Sequence, residues 1–392
     1  MRKDWEYKTF GEIGSFLRGK NIQKADFVSG GLPCIHYGQI HTKFDISIDY
    51  HLSEIPQEVY DKAIIASPGD VIIAITSEDI DGSCKSVVWL GNYDIAVSAH
   101  AAILKHNMNG KFIAYYLRSN TFFTQKLKYA RGFKVMEIKT KDLAKLVLPI
   151  PPKPTQLSIV SELDKLNELI RIKKEQLKDY DALAQSIFYE MFGDPVENEK
   201  GWEVKELIET VIPECKISYG IVQPGEHVED GVPIVRPVDM LQTFISKDGL
   251  KKTTKEISNS YNRTILTGKE LLICVRGTTG VVSLVDESLK GANVTRGIAP
   301  LLFSMDVERW FMYYQIKTPS VRGVISSLTR GIALKQINMS DLRKIQVILP
   351  PLPLQHSFAQ KIEQIEQQKA AIQKTITDLE TLLAARMQYW FD

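Results

Sequence analysis

Two stretches decide the fold: LVLPIPPKPTQ at residues 146–156 and IQVILPPLPLQ at residues 345–355. They lie 199 residues apart, and Pro151, Pro152, Pro154 and Gln156 fall on Pro350, Pro351, Pro353 and Gln355. Asp142-Leu143 falls on Asp341-Leu342 and Arg131-Gly132 on Arg330-Gly331 at the same offset. Further upstream, SPGDVIIAIT (67–76) parallels TGKELLICVR (267–276), Gly31-Leu32-Pro33 parallels Gly231-Val232-Pro233, and Trp5-Glu6 parallels Trp202-Glu203. Self-similarity at so long a period is a tandem duplication, because each copy is large enough to be a domain rather than a solenoid unit.

A long helical pattern free of glycine follows each proline cluster. Ile159, Leu163, Leu166, Ile170, Lys173, Leu177, Tyr180, Ala184, Ile187 and Met191 follow 4,3 spacing, as do Phe358, Ile362, Ile365, Lys369, Ile372, Ile376, Leu379, Leu383, Arg386 and Trp390. That spacing makes one narrow seam on each helix, of the kind found in coiled coils. A helix of ~38 residues is roughly 57 Å long, more than one domain needs for its own core, so the two helices are expected to pair antiparallel as a rod between two globules. Each seam holds one lysine, a position that fixes register and partner. Upstream of the prolines, DVIIAIT, SVVWL, ELLICV and VVSLV read as strands, while residues 112–128 and 309–318 have helical periodicity with aromatic residues expected in the core. The fold class is therefore α+β, built from two duplicated mixed α/β domains, each followed by a long helix.

The 392 residues are 44% hydrophobic and 24% charged, and no window approaches the ~20 apolar residues of a membrane span. A soluble, cytoplasmic protein is expected, since MRKDWEYKTF lacks the apolar run of a secretory signal. Cys34, Cys84, Cys215 and Cys274 are far apart, without a C-x-x-C pair, and are expected to be buried thiols rather than a disulfide framework or zinc site. Net charge is only +2, but residues 105–145 carry ten basic side chains against two acids. Residues 309–344 repeat the excess more weakly, with Arg309, Lys317, Arg322, Arg330, Lys335, Arg343 and Lys344 against Asp306, Glu308 and Asp341 nearby.

Catalytic signatures are missing where they would be diagnostic. GSFLRGKN (14–21) has phosphate-loop spacing but ends in Asn21, where a magnesium ligand requires Ser or Thr. Gly277-Thr278-Thr279-Gly280 reads as a turn between strands. Cys34, His36 and His41 share a neighbourhood without paired ligands at metal spacing. The chain reads as a binder, with no catalytic, cofactor-binding or metal-binding residues expected.

The duplication, the LPIPP and LPPLP clusters each followed by Gln and a heptad helix, and the closing phrases IFYEMFGD and ARMQYWFD together resemble the specificity subunit of type I restriction-modification enzymes. The resemblance covers essentially the whole chain. It implies two target recognition domains, at 1–152 and 193–351, and two conserved helical regions, at 153–192 and 352–392, the helices forming an antiparallel coiled coil. It further implies that this chain reads the two halves of a split double-stranded DNA sequence. Two modification subunits would methylate adenine with S-adenosylmethionine, and two restriction subunits would supply ATP- and magnesium-dependent translocation and cleavage. In such a complex phosphates supply much of the affinity and a few side chains at base edges supply the choice.

The residues expected at DNA are Arg18, Lys20, His36, Lys126, Lys128, Arg131 and Lys134 in the first copy, and Arg236, Arg276, Arg296, Arg330 and Lys335 in the second. Most lie in or beside a glycine- or proline-marked loop; Lys126 and Lys128 belong to the basic run. Two other readings share the same features. One is the specificity module of a type II restriction-methylase; the other is a tether whose globules bind proteins.

Overall fold

In the computed structural model, which describes residues 5–132, 135–331 and 335–392, the segment before each proline cluster is a strand paired antiparallel with the start of its own copy. Val147–Ile150 pairs with Glu6–Thr9, and Gln346–Leu349 with Glu203–Glu206. The prolines end each strand and the chain turns directly into a 40-residue helix, Lys153–Phe192 in the first copy and Leu352–Phe391 in the second. The repeated glutamine accounts for the repeated motif. Gln156 is buried, donates to the Pro151 carbonyl at 2.8 Å and accepts from the Asn109 amide. Gln355, also buried, donates to the Pro350 carbonyl at 2.7 Å and accepts from the Glu308 amide at 2.9 Å. Asn109 and Glu308 are the N-caps of Gly110–Tyr116 and Arg309–Lys317, so one side chain fastens the start of the long helix to the start of the aromatic helix. A buried amide must satisfy both its ends, and this one does so with backbone that only the folded junction presents.

The chain divides into two units, one comprising Met1–Lys174 with Lys374–Asp392 and the other Glu175–Gln373. The division passes through both long helices. The cores explain it. In the first unit Ile159, Val160, Leu163 and Phe391 share a core with Phe10, Phe112, Tyr116 and Phe122. In the second, Ala184, Phe188, Phe192, Phe358 and Ile362 share one with Leu271, Phe311 and Tyr314. Phe188 and Phe192 stand one position off the seam read from the sequence; they pack on Phe311 at 5.7 and 4.8 Å between ring centroids, each burial contributing roughly 1.5–3 kcal/mol.

Within each unit the two helix segments run antiparallel. Glu162 accepts from Arg386 and from the Trp390 indole, and Lys174 bonds Glu380 at 2.7 Å. In the second unit the seam lysine Lys369 bonds Asp181 at 2.7 Å and Glu366 at 2.8 Å. Burial opposes the charge on Lys369, but the two carboxylates outweigh it and raise its pKa above the usual lysine value.

Each globule has two main sheets. In the first unit a five-stranded sheet ordered Gly14–Arg18, Ala101–His106, Val71–Ala74, Ser86–Trp89, Ser47–Ile48 accompanies a four-stranded one containing Leu32–Ile35 and Ile95–Val97. The second unit has the counterparts Val282–Leu284, Leu271–Cys274, Ile298–Leu301 and Lys251–Thr253, Val232–Val235, Asn293–Val294. Gly14–Arg18 is an edge strand, so the phosphate-loop spacing at 14–21 is carried by extended chain rather than a strand-to-helix turn. Gly277 and Gly280, at φ 87° and 82°, turn the chain between the antiparallel strands Leu271–Cys274 and Val282–Leu284. Three cysteines are buried and Cys215 is half-buried, a partial departure from four buried thiols. No described helix is long and apolar enough to cross a membrane.

Candidate nucleic-acid interface

Hydrogen bonds of the backbone establish which residues are equivalent in the two units. Arg131 and Glu137 exchange bonds of 3.1 and 2.8 Å, and Arg330 and Gln336 exchange bonds of 2.8 and 2.9 Å. Ile138 then donates to Ile75, as Ile337 does to Val275, and Ile75 donates to His100, as Val275 does to Gly297. Lys20 donates to Val97, and Ile221 to Val294. The ladder makes Thr76 the counterpart of Arg276, Ala99 of Arg296, Glu137 of Gln336, Arg18 of Tyr219 and Lys20 of Ile221. One locus, at the ends of the same strands, is therefore present in each unit with different residues at its equivalent positions.

Glycine permits the close approach at its base. A Cβ on Gly19 would stand 2.2 Å from the Ser98 carbonyl, and one on Gly220 1.9 Å from the Val294 carbonyl. In both copies the chain crosses another strand's backbone without room for a side chain.

Most residues expected at DNA gather here. Arg18 and Lys20 are exposed at one edge; the Arg18 guanidinium bonds the Ala99 carbonyl at 3.1 Å and Glu137 at 3.2 Å. Arg131 and Arg330 are exposed at the equivalent hairpin, and Arg330 reaches Asp341 at 3.4 Å. Lys335 is exposed, and its carbonyl accepts from Gly277. Arg276 and Arg296 line one concavity of about 310 Å³ with Tyr219, Val222, Gln336 and Asn338. Lys128 is exposed just after the helix Asn120–Lys126. Lys134 lies outside the described residues.

Two expectations, Lys126 and His36, need correction. Lys126 is 3% exposed and donates to the carbonyls of Ser83 at 2.7 Å and Asp81 at 3.2 Å. Burial pushes its pKa below the usual lysine value, and its ammonium is a structural donor rather than a phosphate contact. His36 is 8% exposed; its Nδ1 accepts from the Gly38 amide, capping Tyr37–Thr42. Burial, then Lys24 and His100, lowers its pKa, which suits a neutral acceptor rather than a cation. Arg236, its counterpart, stands at the N-cap position of Pro237–Asp239, where its amide donates to the Asp239 carboxylate at 2.8 Å, and it spends Nε and one terminal nitrogen on the same carboxylate at 3.0 and 2.9 Å. Nor is the basic run of 105–145 a single DNA-facing surface: Lys105 bonds Asp70, Lys111 bonds Asp164, Arg118 bonds Asp45 and Lys145 bonds Asp142.

Comparison with known proteins decides what kind of chain presents this duplicated locus. Residues 2–179 and 199–381 match the family described as "Type I restriction modification DNA specificity domain". The chain belongs to that family. Among specificity-family relatives, the Escherichia coli EcoBI specificity subunit is 23% identical over 268 residues, covering 62% of this chain and 56% of its own. The putative MjaX specificity subunit of Methanocaldococcus jannaschii is 24% identical over 388 residues, covering 93% and 87%. A chain from a structure concerned with assembly of the type I R-M system has the same fold, with TM-score 0.58 at 18% identity over 100% of this chain and 98% of its own. The type I S subunit from M. genitalium gives 0.56 at 13% identity over 99% and 96%.

Tyr219, Glu137, Gln336 and Asn338 are the residues of this specificity-family locus that sequence reading missed. Glu137 and Gln336 carried a signal, since they share the 199-residue offset of Arg131 and Arg330. Tyr219 carried none, because its counterpart is an arginine. Among the described residues no group of three or more His, Cys, Asp or Glu side chains is placed to hold a metal ion.

Proposed function

We propose that this chain is the DNA-reading subunit of a type I restriction-modification assembly and itself performs no catalysis. Each unit reads one half of a bipartite, asymmetric double-stranded site. The observation that carries the reading is the single locus built twice on the same backbone ladder with different accessible side chains: Arg18, Lys20 and Glu137 in one unit, Tyr219, Arg276, Arg296 and Gln336 in the other. Equivalent frames with unlike linings suit two different half-sites, whereas a symmetric ligand would favour like linings. Exposed arginine and lysine at the rim suit phosphate contact, which positions a protein without specifying sequence.

S-adenosylmethionine, ATP and magnesium belong in this reading to partners, two modification and two restriction subunits, and the assembly works inside the cell. Fluorescence anisotropy of the complex with modification subunits, titrated with duplex DNA at several salt concentrations, tests it. Specific binding whose logarithm falls linearly with the logarithm of salt concentration is the expected result. Binding indifferent to salt and sequence would leave the chain a protein tether.

A further inference from the structure

The two loci differ most in what becomes of their arginines. In the first unit the Arg18 guanidinium lies over the Ala99 carbonyl and is paired with Glu137. In the second, tyrosine replaces that arginine at 219, glutamine replaces the acid at 336, and arginines stand at 276 and 296. Among the described residues no carboxylate bonds the guanidinium of Arg276 or Arg296, in contrast to Arg236 with Asp239 and Arg330 with Asp341. Arg276 is half-buried at the wall of the concavity and Arg296 is exposed at its rim.

Their backbones are firmly held. Val275 donates to Gly297 at 2.7 Å, Arg296 donates to Ile221 at 2.8 Å, and Arg276 forms a bridge with Gln336. A Cβ on Gly297 would stand 2.6 Å from the Pro237 ring, so the turn beside Arg296 packs closely. The neighbours Gln336 and Asn338 are neutral amides. A guanidinium with no carboxylate bonded to it among the described residues, on rigid backbone and facing a recess, is left to find its acceptors in a ligand.

The geometry points to Arg276 and Arg296 as the guanine readers of the second unit, each able to present two parallel N–H donors to the O6 and N7 acceptors of guanine in the major groove. This rests on the reading that the second unit contacts DNA. The half-site read by Glu175–Gln373 then contains guanine at the positions they meet. The first unit, with threonine and alanine at the equivalent places and its arginine tied to Glu137, selects its half-site by other contacts.

The test uses the full chain in complex with its modification subunits and duplexes carrying the methylated sequence found in the host genome. Each guanine is replaced in turn by 7-deazaguanine, which exchanges the N7 acceptor for C–H. Wild type should lose about 5- to 150-fold in affinity at one or two guanines, all in one half-site. Arg276→Ala and Arg296→Ala should each abolish the sensitivity at one of them. Arg276→Lys and Arg296→Lys, which keep the charge, should restore it at most in part, because lysine lacks the rigid planar pair of donors. Equal loss for every duplex, restored by lysine, would make both residues phosphate contacts and overturn the assignment while leaving the DNA-reading function standing. A half-site without guanine would overturn it likewise. Failure of the wild-type complex to bind any duplex specifically would defeat the functional reading itself, and the assignment with it. Exposed Arg296 can be changed without disturbing a core, so its variants remain informative if Arg276→Ala unfolds.

Discussion

Lys126 and Lys128 are two residues apart in one basic run, and the structure gives them opposite surroundings. Lys126 ends the helix Asn120–Lys126 with its ammonium enclosed, bonded to the Ser83 and Asp81 carbonyls, and 5.0 Å from the centre of the Phe123 ring. Lys126→Met keeps most of the apolar stem and removes both donors. Hydrogen bonds involving a charged group contribute about 1.5–3 kcal/mol each, and orphaned carbonyls add to the loss. Methionine packing offsets part of it, leaving a net destabilisation of about 2–4 kcal/mol. At about 2–4 °C per kcal/mol for units of this size, Tm falls by roughly 5–15 °C. Lys128→Ala, at an exposed position, should stay within about 0.5 kcal/mol of wild type and lower the salt slope of DNA affinity by about 0.9 if the side chain faces a phosphate. Thermal unfolding and salt-dependent anisotropy on the same preparations separate the two effects. A Lys126→Met protein with unchanged Tm and a flattened salt slope would refute the reasoning.

Other variants follow from the same contacts. Hydrogen bonds from Arg386 and then Trp390 hold the Glu162 carboxyl below its usual range, against burial. A depressed folded pKa stabilises above the ordinary value near 4.5 and loses that contribution as pH falls through the folded pKa. Glu162→Gln should therefore unfold more easily at neutral pH and show a shallower decline in Tm on acidification, as measured by calorimetry. Gly220→Ala places a methyl group 1.9 Å from the Val294 carbonyl and should cost about 1–3 kcal/mol while weakening DNA binding. Gly323→Ala, with open space in the helix Pro319–Leu328, should instead stabilise by about 0.5–1 kcal/mol. Arg330→Ala removes an exposed cation and should weaken binding uniformly across a duplex panel, leaving base preference unchanged.

The junctions were legible because Pro151, Pro152 and Gln156, like Pro350, Pro351 and Gln355, act locally: the prolines end a strand, and the glutamine closes on a carbonyl five residues back. The seam was legible for a similar reason, since helical period alone lines up Ile159, Leu163 and Leu166. What it could not show is that Phe188 and Phe192, off that seam, belong to the core beside Phe311 and Phe358. Lys126 was misread because its acceptors, Asp81 and Ser83, lie more than forty residues away in sequence. His36 and Arg236 fall at equivalent N-cap positions, which the sequence did not reveal: the His36 ring accepts from Gly38, and the Arg236 amide donates to Asp239. The pairing of Arg18 with Glu137 required the two strand ends to be brought together, and no local pattern predicts it.

The central claim is that the two units read two half-sites independently. Co-expression of this chain with its modification subunits in a host lacking adenine methylation, followed by genome-wide methylation sequencing, tests it most directly. Wild type should methylate adenine at one bipartite sequence with an unread gap, and Arg296→Ala should change accepted bases in one half while the other half and the gap stay constant. Methylation at a contiguous site, changes in both halves, or the same methylation without this chain would contradict the account.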